Sequence, residues 1–171
     1  GMYDTLVQAV ETAEARGAGK GDTLGLGSEV SMGTSAPATA DEEGKIQYDG
    51  TFAAVTFDKN GKVTSSIFDA TQPAVTFDAA GQITSDLAAE VKTKLEKQDE
   101  YNMRGASPIG KEWFEQSEAF SEYVAGMTAD EIAGTPIDET TAPTDADLTA
   151  SVTIHIGDFL AVVAEAAAMA N

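Results

Sequence analysis

The 171-residue chain has the length of one domain, or of one domain with a short appendage, and 42% of it is apolar, enough for a core. Ten Lys and Arg stand against 29 Asp and Glu, a formal charge of −19 that repels phosphate backbones and anionic membranes and leaves no basic stripe for nucleic acid. The absence of cysteine and the single His155 exclude disulfides, thiolate nucleophiles, Fe–S clusters and the usual zinc sites.

No run reaches the roughly 18 apolar residues of a membrane-spanning helix, and no secretory leader pattern opens the sequence. Gly1 ahead of Met2 reads as a residue left by tag cleavage, so the missing leader says little about the natural precursor.

From Tyr3 to Arg16 the residues Leu6, Val7, Ala9, Val10 and Ala13 fall on one helical face, and Gly17 and Gly19 stop the helix. Residues 1–22 therefore read as an N-terminal helix with a glycine-rich connection, and 23–171 as the domain proper. Thr23 to Met32 alternates weakly around Gly25 and Gly27, which reads either as a strand with close backbone approach or as a loop. Ser35 to Gly44 is small, polar and acidic, a loop.

The clearest pattern is a near-repeat. AVTFDKNGKVTSS starts at Ala54 and AVTFDAAGQITSD at Ala74, each a strand, an Asp-x-x-Gly turn and a second strand. Two copies fall short of a solenoid and predict a meander of short antiparallel strands. Asp58-Lys59-Asn60-Gly61 lacks the ligand alternation of a calcium-binding EF-hand loop.

After Ser85 the period lengthens. Leu87, Val91 and Leu95 predict an amphipathic helix over Asp86–Gln98, capped by Ser85 or Asp86. Ile109 to Ala125 predicts a second, with Trp113, Phe114, Phe120, Tyr123 and Val124 for its apolar face and Trp113 as core anchor. Thr128-Ala129-Asp130-Glu131 is a capping box opening a short helix through Ala133. Thr135–Asp147 is a second acidic loop. Val152, Ile154 and Ile156 alternate with Thr153 and His155 as in a strand over 150–156, and Gly157-Asp158 leads into an alanine-rich helix through Ala170. DTLVQAVETA from Asp4 shares Asp, Leu, Glu and Ala positions with DFLAVVAEAA from Asp158, which allows the first helix to be the closing helix of a neighbouring unit. The fold class is α+β: an antiparallel sheet of short hairpin strands with amphipathic helices packed on one face.

The run DGTFAAVTFDKNGKVTSSIFD, from Asp49 to Asp69, with Arg104-Gly105-Ala106-Ser107 and the helix after it, resembles the bacterial FMN-binding domain family over roughly Ile46 to Val124. The resemblance implies an extracytoplasmic protein, anchored to the cell envelope in its full precursor as in lipoprotein members. In flavin-carrying members a threonine of an SGAT-type segment is bonded to the flavin phosphate, and the matching hydroxyl here is Ser107. Arg104 stands where the family has Ser, and Pro108 where it has a variable residue.

Physically, Gly105, Ala106 and Ser107 at a helix start form a nest suited to an anion, with Arg104 and Lys111 near enough to assist. The competing reading makes Ser107 an ordinary N-cap with Pro108 at the first helical position. Other candidates are weaker. GAGKGDT fails as a P-loop because Lys20 precedes Gly21 and a helix lies upstream. His155 has no second histidine, and Glu42/Glu43 and Asp130/Glu131 read as solvated charge. Asp138, Glu139, Asp145 and Asp147 offer oxygen to a hard cation, but nothing fixes their geometry. With no nucleophile elbow in view, two readings result: a non-catalytic binding or surface-interaction domain taking a small anionic ligand or a protein partner, or an FMN-binding redox carrier with the phosphate near Ser107.

Overall fold

A computed structural model describes residues 1–170. The fold is α+β, with a three-stranded and a two-stranded antiparallel sheet. The larger sheet has the order β1 (Thr23–Ser31), β3 (Asp49–Phe57), β4 (Val63–Thr71); in the smaller, β2 (Gly44–Gln47) pairs with β5 (Ala74–Phe77). The helices are α1 (Met2–Glu11), α2 (Lys94–Lys97), α3 (Trp113–Val124), α4 (Ala129–Ala133), α5 (Ala146–Thr149) and α6 (Gly157–Met169).

The large sheet buries one face. Val55, Phe57, Val63, Phe68 and Ala70 point toward α3 and α6, whose Trp113, Phe120, Val124, Phe159, Val162, Val163 and Ala166 complete the core. Phe68 stacks on Phe159 at 4.8 Å between ring centroids and meets Phe120 edge-on at 5.2 Å, and Trp113 meets Phe159 edge-on at 5.8 Å. The two glycines of β1 explain its weak alternation. A Cβ on Gly25 would sit 1.9 Å from the carbonyl oxygen of Ala166, and one on Gly27 1.9 Å from that of Val162. The segment is a strand, and glycine lets the α6 backbone lie directly on it.

Both halves of the near-repeat make the same turn. Asp58 Oδ1 accepts the N–H groups of Asn60 and Lys62, and Asp78 Oδ1 those of Ala80 and Gln82. Gly61 and Gly81 take the left-handed conformation that closes a three-residue hairpin, at φ 73° and 79°. The first hairpin runs on for the length of β3 and β4. The second stops at a single bridge between Phe77 and Ile83, where Ser85 Oγ takes the Thr76 N–H in place of a backbone partner.

Four expectations are corrected. Residues 86–93 are not helical: Asp86 closes a local turn onto Ala88, and helix begins only where Thr93 and Glu96 form a capping box, leaving Leu87 and Val91 66% and 60% exposed. The helix expected from Ile109 starts at Trp113, with Glu112 as N-cap, so Ser107 and Pro108 are not its start. The N-terminal helix ends at Glu11 rather than Arg16. Residues 150–156 form no strand. Their alternation is real, since Val152 and Ile156 are fully buried and His155 exposed, but the N–H groups of Thr153 and Ile154 go to the side chain of Gln116 instead of a neighbouring strand.

The likeness of α1 to α6 does not extend to packing in that register. Aligned on Asp4 and Asp158, the buried Phe159, Val162, Val163 and Ala166 correspond to Thr5, Gln8, Ala9 and Thr12. None of the residues of α1 is buried.

Candidate functional site

A cleft of about 660 Å³ opens at the end of the large sheet where β3 starts and β4 finishes. Asp49, Gly50 and Thr51 contribute one wall, Ala70, Thr71 and Gln72 a second, and Thr153, Ile154 and His155 with Asp158 and Phe159 a third. Lys94, Tyr101, Met103, Ala106, Pro108 and Trp113 close it. These segments are far apart in sequence, and the topology alone brings them together.

Lys94 supplies the cleft's ammonium. Its Nζ lies 4.8 Å from the centre of the Tyr101 ring and 5.2 Å from that of Trp113, a cation held over two aromatic faces. In the same lining, Asp158 accepts a hydrogen bond from Thr51 Oγ1 at 3.3 Å. Burial acts to raise the pKa of Asp49, but hydrogen bonds from Thr34, Gln47 and Gln72 outweigh it and hold the carboxyl below its ordinary value. Thr71 Oγ1 is buried without a hydrogen-bond partner.

Two buried side chains give the cleft its shape. Gln116, 0% exposed, accepts the N–H groups of Thr153 and Ile154 at 2.8 and 3.2 Å, while its amide nitrogen donates to Lys111 O at 3.1 Å and Ser107 Oγ at 3.3 Å. Glu112, 2% exposed, accepts the N–H groups of Met103 and Arg104, each at 2.8 Å.

The five residues singled out for an anion do not converge. Two of the nest's amides are used within the chain, those of Ala106 and Ser107 both donating to Met103 O, and the Glu112 carboxylate sits just upstream on the amides of Met103 and Arg104. The Arg104 guanidinium pairs with Asp99 at 2.9 Å and Glu115 at 2.8 Å. Lys111 opens on a different surface, shared with Arg16, Glu115 and Glu118. Ser107 turns inward to Lys111 N and Gln116. Gly105 is exposed and lines no part of the cleft, so Ala106 alone of the five does.

Trp113 was legible as an anchor, but Lys94, Tyr101, Thr51, Asp158, Glu112 and Gln116 were not. Glu112 and Gln116 did carry a faint signal, as polar residues on either side of Trp113 at the start of an apolar helix. Asp58 and Asp138 spend their carboxylates on turn N–H groups, and among the described residues no three His, Asp or Glu gather closely enough for a metal ion. Among the described residues no helix is long and apolar enough to cross a membrane. No protein-family model matches the chain, and neither does any curated protein or solved structure, so the resemblance to FMN-binding domains rests on the residues quoted for it.

Proposed function

We propose that this is a non-catalytic binding domain of the bacterial cell envelope, and that its ligand occupies the cleft beneath Lys94. The observation that carries the reading is the placement of Lys94 against Tyr101 and Trp113 in a cleft that also holds the Asp158–Thr51 pair. In a chain of charge −19, a cation fixed in a half-apolar cleft is a local positive field that a ligand's anionic or carbonyl group can use. Asp49 and Asp158, in the same lining, accept from hydroxyl or amine donors. The ligand class is therefore a small polar molecule carrying both an anionic or carbonyl group and hydrogen-bond donors. Cell-envelope placement rests on the family resemblance alone.

The second reading is the FMN carrier, favoured by one observation: Ala106 and Pro108, which flank Ser107, line this cleft. Amide chemical-shift mapping with FMN, inorganic phosphate and a panel of small carboxylates separates the readings. Shifts at Thr51, Thr153 and Asp158 that vanish in Lys94→Ala support the cleft. Binding of FMN with a mass increase at Ser107 after co-expression with a flavin transferase supports the carrier. No shift at any cleft residue with the whole panel removes the cleft proposal.

A further inference from the structure

The large sheet has a second face, and α6 does not cover it. Leu24, Leu26 and Val30 of β1, Phe52 of β3 and Ile67 of β4 point there, at 60%, 51%, 49%, 36% and 38% exposure. The register lines them up, with Leu26 opposite Ala54 opposite Ile67, and Ser28 opposite Phe52. Scattered exposed apolar residues need no explanation, but five on one side of one sheet form a contiguous patch.

The same chain carries a second uncovered apolar surface. In α1, Tyr3, Leu6 and Val10 are 77%, 61% and 76% exposed, and Val7 completes their stripe. Their spacing, i, i+3, i+4, i+7, is that of Phe159, Val162, Val163 and Ala166, the face with which α6 covers the other side of this sheet. The molecule thus holds a sheet face without a helix and a helix without a sheet face.

The connection between them decides which copy supplies the helix. Arg16 is paired with Glu118 at 2.7 Å, Gly17 lies against the Thr64 backbone, and Asp22 accepts from Thr64 Oγ1 at 2.6 Å. Arg16 is therefore held on α3, and residues 17–22 run along the Thr64 end of β4 beside the open face. That leaves only residues 12–15 to turn the helix, and a hinge that short favours exchange between copies.

We propose that the protein forms a symmetric dimer in which α1 of each copy packs its Tyr3–Leu6–Val7–Val10 face on the open sheet face of the other. A ten-residue helix is about 15 Å long and 10 Å wide, and laid on a sheet it removes roughly 300–400 Å² from each surface. Two such contacts total about 1,200–1,600 Å², the size of a standard specific interface. Exchange of identical contacts closes as a two-fold dimer and leaves no apolar face free for further growth. Because each copy carries −19, and Asp4 and Glu11 flank the helix face while Asp69 borders the sheet patch, the association strengthens as salt screens like charges.

Sedimentation of the full chain across a concentration series, at low and high salt, is the test. The expected result is a monomer–dimer equilibrium that shifts toward dimer with salt. Leu6→Glu on the helix and Leu26→Lys on the sheet each weaken it by at least about tenfold. Both positions are exposed in the single copy, so neither substitution threatens folding. Mixing the two variants restores a heterodimer, because the intact helix of one meets the intact sheet of the other. A chain that stays monomeric at high concentration and salt overturns the proposal. So does a monomer in which a spin label on α1 broadens signals of its own β1, or a dimer indifferent to both substitutions.

Discussion

The side-chain oxygen of Gln116 takes the backbone N–H of Thr153 at 2.8 Å, across 37 residues of chain, and the N–H of Ile154 at 3.2 Å. One buried amide thus does for residues 153–154 what a neighbouring strand does in a sheet, and it sets one wall of the cleft. Gln116→Leu leaves both donors without an acceptor and costs about 2–4 kcal/mol of stability. Chemical denaturation measures the loss. The amide shifts of Thr153, Ile154 and His155 in the folded variant move far more than those of β1; an unchanged denaturation midpoint contradicts this role.

Trp113 is 5% exposed and touches Phe159 edge-on, so Trp113→Ala opens a cavity at the helix-to-sheet contact. The expected cost is on the order of 3–5 kcal/mol. The same change removes one of the two rings beside Lys94, so a ligand of the proposed cleft is expected to bind less tightly. A melting temperature equal to that of the parent would show that α3 packs by another face.

Gly27 faces the Val162 carbonyl so closely that no other residue fits without moving α6. Gly27→Ala is expected to destabilise by about 1–3 kcal/mol, with α6 losing hydrogen-exchange protection before β4 does. Equal loss of protection in the two elements would count against a local separation of α6 from β1.

Acid should weaken the fold through its turns. The Lys62 backbone N–H, ahead of the contacts from Asn60, holds the Asp58 carboxyl below its ordinary value of 3.8. The Thr140 hydroxyl does the same first for Asp138. A depressed carboxyl contributes stability that is complete above its unfolded value and is lost as pH falls through its folded one. Melting temperature therefore drops below about pH 4, and Asp58→Asn, which keeps the acceptor oxygen without the titration, drops less. A variant with the same acid loss as the parent would assign that loss elsewhere.

What was readable in the sequence was local. The Asp58 and Asp78 turns, the Thr128 capping box and the Trp113 helix face each depend on neighbours a few residues away, and all are present. The errors came where a distant group overrode a local period. Residues 150–156 alternate like a strand because Val152, Ile154 and Ile156 face a core, yet Gln116 holds their backbone. Leu87 and Val91 keep helical spacing, yet both stay more than half exposed. The nest of Gly105, Ala106 and Ser107 is a related case, since the amides of Ala106 and Ser107 turn back onto Met103 O and the Arg104 guanidinium is held by Asp99 and Glu115.

The crossing of α6 over Gly25 and Gly27 also sets the order of events during synthesis. β1 leaves the ribosome early, but the backbone it must lie against is that of residues 157–169, made more than a hundred residues later. Until then the Gly25–Gly27 side of β1 has no mate, and the β3–β4 hairpin, whose contacts are all nearby, is the part able to form first. A nascent chain stalled ahead of Gly157 is therefore expected to be cut by proteases within β1 more readily than within the β3–β4 hairpin.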